Sequence, residues 1–247
     1  MEEFDTISSR LDSVRGRIAD ACARSGRNPD DVCLLAVSKT FPPEAVDEAM
    51  RAGQSVFGEN KAQEAAAKIP QCGSGAEWHF IGHLQKNKVR IVANLFSVIH
   101  SVDSAALYQA IAAESEESGR RPRILLEVNV SGEGSKFGIK PGDLPAVLRD
   151  VISSGGPEVC GLMTVPPYTA EPEDSRKHFI ALRGLRDKCQ DECGIALPEL
   201  SMGMSGDFEV AVEEGSTIVR VGTAIFGRRV SPAKRMSPDT DAYFLDI

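Results

Sequence analysis

With 247 residues, 42% of them hydrophobic and 26% charged, the chain has the composition of a soluble globular protein large enough for one barrel-sized domain. Its formal net charge of −8 argues against a general affinity for nucleic-acid phosphates or anionic membranes. No apolar run approaches the ~20 residues of a membrane span. The polar start MEEFDTISSR does not read as a signal peptide, and the scattered cysteines (Cys22, Cys33, Cys72, Cys160, Cys189, Cys193) form no CxxC pair, so a cytoplasmic protein with free thiols is expected.

Phe4, Ile7, Leu11, Val14 and Ile18 recur at helical spacing and predict a leading helix that stops at Gly26. Apolar runs then alternate with amphipathic segments. DVCLLAVSK is followed by a helix with Pro43 in its first turn and Gly53 as its stop. QSVFGEN leads into the helix NKAQEAAAKI. EWHFIGH and LFSVIHSV are the third and fourth runs, with the next helix passing through Leu107 and Ile111 to Gly119. RILLEVNV is the fifth, before a helix carrying Leu144, Leu148 and Val151 with Asp143 as its cap. PEVCGLMTV precedes a helix through Phe179 and Leu182, PELSMGMS one from about Asp207 to Gly215, and STIVRVG the short helix TAIFG. Continuous apolar strands alternating with helices predict a parallel sheet buried on both faces. Eight such units after one helix predict a single (β/α)₈ TIM-type barrel over residues 1–228, with a doubly wound open sheet as the competitor. Residues 229–247 read as an irregular C-terminal tail, and the basic cluster Arg228, Arg229, Lys234 and Arg235 as a solvated surface.

Reactive groups in such barrels lie at the C-terminal ends of the strands. Here those ends offer Lys39, Glu59-Asn60, His83, Asp103, Asn129, Thr164, Ser201 to Ser205, and Arg220 to Thr223. Lys39 shares strand parity with Leu35 and Val37. It is either a surface lysine or a partly desolvated amine whose lowered pKa suits attack on a carbonyl. Arg220, between Val219 and Val221, would be a buried guanidinium in need of an acceptor. Gly222-Thr223 opens a short helix whose free N–H groups suit an anion, and Ser205 adds a hydroxyl from the seventh loop. Tight turns alone would also explain these glycines. The remaining signals are weaker. His79 and His83 are four apart without a third ligand nearby, Cys189 and Cys193 read as core or boundary residues, and Met202 and Met204 as gap-fillers near a ligand. Glu59 and Asp103 fit acid–base groups or helix caps.

LLAVSKT, GENKAQE, WHFIGHLQKNK, SVDS, NVSGEGSKFGI, GLMT, LSMGMSGDF and RVGTAIFG occur in this order between about residues 5 and 228. Together they resemble the YggS/PROSC family of pyridoxal 5′-phosphate (PLP) homeostasis proteins, which are similar to the N-terminal barrel of alanine racemase. The resemblance implies PLP held as a Schiff base (internal aldimine) on Lys39. It implies phosphate contacts from Ser205, Gly222 and Thr223, Arg220 facing the pyridine nitrogen, and Asn60 lining the pocket. Lys136 in GSKFGI is a conspicuous motif lysine without a defined role, and Phe137 stands where a variable residue is expected. An arginine at the ring nitrogen keeps its proton, which weakens PLP as an electron sink. About twenty residues follow the barrel, and none of Tyr108, Tyr168 and Tyr243 lies in a second domain of the alanine racemase kind, so one of the two bases that racemisation needs is absent from this pattern. A monomeric, non-catalytic PLP carrier that buffers or delivers the cofactor, with PLP-dependent apo-enzymes as partners, is therefore expected. A weak amino-acid racemase and a PLP-independent Schiff-base aldolase are the alternatives, and no metal is expected.

Overall fold

The computed structural model describes residues 6–134 and 136–227. The expected tail at 229–247 and its basic cluster lie outside these residues, as does Phe4. Eight strands pair in parallel and close in chain order: β1 (Cys33–Val37), β2 (Val56–Glu59), β3 (Glu77–Phe80), β4 (Val98–Val102), β5 (Arg123–Glu127), β6 (Val159–Met163), β7 (Glu199–Met204) and β8 (Ile218–Val221). The barrel closes where β8 returns to β1, with Cys33 opposite Ile218 and Leu35 opposite Arg220. An open doubly wound sheet is thereby excluded.

The helices among the described residues are α1 (Ile7–Ser25), α2 (Pro43–Arg51), α3 (Ala62–Lys68), α4 (Val89–Leu95), α5 (Ala105–Ser118), α6 (Leu144–Ser154), α7 (Arg176–Cys193), α8 (Phe208–Glu213) and α9 (Thr223–Phe226). Thr6 and Ser9 cap α1 reciprocally, and left-handed Gly26 ends it as expected. Pro43 is the first residue of α2. Two local expectations need correction. Residues 89–95 form a helix between the third and fourth strands that was not named from the sequence; its seven residues show too short a stripe to stand out. Asp143 occupies the cap position of α6, but its side chain makes no capping hydrogen bond.

Strand alternation sorts side chains between two cores. Outward residues such as Ala36, Val219 and Val221 pack against the helices. Leu35, Val37, Val98, Leu125 and Ile218 fill the barrel with Cys160 and Met163. Val219 and Val221 thus face helices while Arg220 between them faces the barrel interior, which accounts for the Val-Arg-Val pattern. Helix α1 lies over the closing seam and contacts α2, α8 and α9.

Candidate functional site at the barrel mouth

Two residues past β1, Lys39 keeps the inward parity of Leu35 and Val37 and lines a cavity of about 420 Å³. The turn behind it is unusual. Thr40 adopts φ 71°, the one left-handed non-glycine residue among those described, a costly conformation for a β-branched side chain. Phe41 then bonds back to Ser38 O at 3.0 Å and rests on Phe226 of α9, with ring centroids 5.1 Å apart. Beneath the turn, buried Lys68 donates to Ser38 O at 2.8 Å and to Glu59 Oε1 at 2.5 Å, and Ser38 Oγ donates to the same carboxylate oxygen at 2.7 Å. Glu59 is therefore a structural anchor and does not line the cavity. Lys68 gave no signal in its Ala-rich helix beyond being its last basic residue.

Arg220, Ser205, Gly222 and Thr223 line the same cavity as Lys39. Arg220 finds the acceptors it needs: Nη1 donates to Ser201 Oγ at 2.6 Å and Nη2 to Thr164 O at 2.8 Å. Burial pushes its pKa down to about 10, so the guanidinium stays charged at neutral pH. Among the described residues no carboxylate forms a direct ion pair with it. The Gly222 N–H donates to Ser205 Oγ at 3.3 Å, and the first N–H groups of α9 have no intrahelical acceptor. A Cβ at Gly222 would lie 3.2 Å from Val37 O, so glycine lets the chain pass close to β1 without displacing it. Met204 borders the cavity, whereas Met202 packs into the outer core.

Asn60 is the remaining residue expected at the pocket. It follows β2 at the mouth but is not among the residues lining this cavity; its Oδ1 is buried without a hydrogen-bond partner.

A second chamber of about 280 Å³ shares Ile81 and Val165 with the first. Glu127, His83, Asn129 and Lys136 line it. Burial, and then the charge of Asp103, raise the Glu127 carboxyl to about 7. Nothing in the sequence marks Glu127, because the run RILLEVNV continues beyond it. His83 stacks on Phe137 at 3.7 Å between centroids and lies 3.8 Å from Asp103, while Ser104 caps α5. His79 lies inside the barrel, so the two histidines of the HxxxH spacing part company. His79 Nδ1 is 3.0 Å from His100 Nε2, and His100 Nδ1 is 2.9 Å from Ser201 Oγ.

A family model described as "Alanine racemase, N-terminal domain" matches residues 10–230. The pyridoxal phosphate homeostasis protein of Aquifex aeolicus is 46% identical over 221 residues, 89% of this chain and 97% of that one. The chain belongs to the pyridoxal phosphate homeostasis protein family. PipY of Synechococcus elongatus, solved with PLP bound, is 37% identical, superposes with a TM-score of 0.81 and is matched over all of its length by 90% of this chain. Outside the family, alanine racemase of Clostridium difficile has the same fold at 14% identity and a TM-score of 0.72, and the match covers 93% of this chain but 58% of that enzyme.

Proposed function

We propose that this chain binds PLP in the Lys39 cavity and acts in PLP homeostasis, holding the cofactor reversibly and releasing it to PLP-dependent apo-enzymes. The observation that carries this is the convergence of a lysine, a buried guanidinium and a hydroxyl–glycine cradle on one cavity. PLP supplies an aldehyde that condenses reversibly with a primary amine, on a ring whose nitrogen and phosphate both need polar partners. Lys39 offers the amine. Arg220 faces the ring nitrogen as a donor that keeps its proton at neutral pH. Ser205, Gly222 and Thr223 receive the phosphate, and the orphaned Oδ1 of Asn60 awaits a donor beside this end of the barrel. Val37, Ile81 and Met204 give the ring apolar walls. A donor that cannot pass on its proton limits electron withdrawal by the ring, which favours storage over catalysis. This role suits a cytoplasmic monomer; all six cysteines are free, and among the described residues no helix is long and apolar enough to cross a membrane. Absorption spectra before and after borohydride reduction, with peptide mapping, test the assignment. We expect the cofactor to be fixed to Lys39 and Lys39→Ala to stay colourless; a coloured Lys39→Ala protein overturns it.

A second reading, slow proton transfer on an amino acid bound with PLP, is favoured by one observation. Glu127, with a carboxyl titrating at about 7, lines the adjoining chamber, and exposed Tyr168 stands at the rim of the Lys39 cavity. Exchange of amino-acid α-protons with solvent deuterium would support it, and its absence across the common amino acids would dismiss it.

A further inference from the structure

The barrel interior holds a run of polar side chains that the proposed binding role leaves unused. It begins at Arg220 under the cavity and continues through Ser201, His100 and His79 to Glu77, the first residue of β3 at the opposite end of the barrel. Arg220, Ser201, His100 and His79 are buried, whereas Glu77 is partly exposed. The last link, His79 Nε2 to Glu77 Oε1, is 3.2 Å long. Arg123 lies 3.6 Å from the same carboxylate oxygen and 3.8 Å from Glu199, so the end of the run is an acidic cluster around one arginine.

Counting hydrogens gives the run a direction. The hydrogen bond from His79 and the Arg123 charge hold Glu77 below the usual carboxylate range, so it only accepts. His79 must then carry a proton on Nε2. Burial, followed by the charges around it, drives His100 well below the ordinary histidine value, so this ring is neutral. If His100 bears its proton on Nε2, it donates to His79 Nδ1 and accepts from Ser201 at Nδ1. The serine hydroxyl hydrogen is thereby used, and its remaining lone pairs receive Arg220 Nη1. In the opposite arrangement both His100 and Arg220 donate to Ser201, and the buried hydroxyl hydrogen has no acceptor among the described residues. Only the first arrangement gives every imidazole and hydroxyl hydrogen between Glu77 and Arg220 an acceptor.

We propose that Glu77 is a positioning residue for Arg220: acting through His79, His100 and Ser201, it fixes the orientation of the guanidinium that faces the cofactor cavity. The consequence for PLP rests on the binding mode proposed above, but the orientation of Arg220 can be read without cofactor. In PLP-free, ¹⁵N-labelled protein at neutral pH, both His79 and His100 are expected to carry a proton on Nε2, with Nδ1 of His100 unprotonated. Glu77→Ala should shift the His100 ring and Arg220 guanidinium resonances. In loaded protein it should move the cofactor absorption maximum and weaken PLP binding by about threefold or more. Glu77→Gln, which keeps an acceptor for His79, should restore the wild-type pattern. Where Glu77→Ala does not fold, His79→Phe cuts the run at a second link away from the cavity.

A His100 ring protonated on Nδ1 overturns the proposal. So does an Arg220 resonance, or a cofactor band, that stays unchanged while only the melting temperature falls. Failure of wild-type protein to take up PLP would sink the binding assignment at Lys39, and the guanidinium resonance would still decide the role of Glu77.

Discussion

Arg220 lies on β8 and Lys39 two residues past β1, the strands that meet at the closing seam, and each is defined by what surrounds it. Both were legible in the sequence, Lys39 from its parity with Leu35 and Val37 and Arg220 from its two flanking valines. Glu127 was not, because an apolar run does not reveal where its strand opens into the mouth. Its titration gives a prediction at this scale. The folded value of about 7 lies above the ordinary 4.5, so the folded protein binds this proton more tightly than the unfolded chain does. The resulting stability is fully present below about pH 4.5 and is lost as pH rises through about 7. Buried neutral His100 contributes an opposing slope in part of that window, so the test is the difference: the stability of wild type relative to Glu127→Gln, from urea midpoints, should fall as pH rises from about 4.5 through about 7.

At the scale of elements, α1 is fastened by arginines that reach the carbonyl ends of its neighbours. Arg27 donates to Val212 O at 2.6 Å and Ser216 O at 2.9 Å, Arg15 to Ala52 O at 3.0 Å, and Arg10 to Ile225 O at 2.9 Å. All but Ser216 O lie at the ends of α8, α2 and α9, where helix dipoles favour a cation. Arg27→Ala should cost about 1–2 kcal/mol in chemical denaturation, with PLP uptake retained. Lys68 at the end of α3 has a larger effect, because it neutralises buried Glu59 next to the Lys39 turn. Lys68→Met should destabilise by about 3 kcal/mol or more, since the carboxylate is left unpaired, and Lys68→Met with Glu59→Leu should recover much of the loss. A single calorimetric series covers both variants. The helical stripe of α1 announced its buried face, but its arginine anchors were not legible: their acceptors lie as many as 215 residues away along the chain.

For the whole molecule, closure of β8 on β1 brings Lys39 and Arg220 to one cavity at the barrel mouth. A monomer is the expected state, and light scattering over a hundredfold dilution should give one mass; a concentration-dependent rise would refute it. Sequence alone determined the order of the eight strands and most of the helices, the strand parity that Lys39 and Arg220 share with their neighbours, and the family motifs, because periodicity and short motifs are properties of neighbouring residues. Tertiary structure alone decided which side chains meet across the barrel. It joined His79, His100, Ser201 and Arg220 from four strands and set Lys68 beneath the Lys39 turn. The reason is geometric: contacts across a closed sheet depend on strand tilt and the stagger between strands, neither of which is encoded in the local pattern of any one strand.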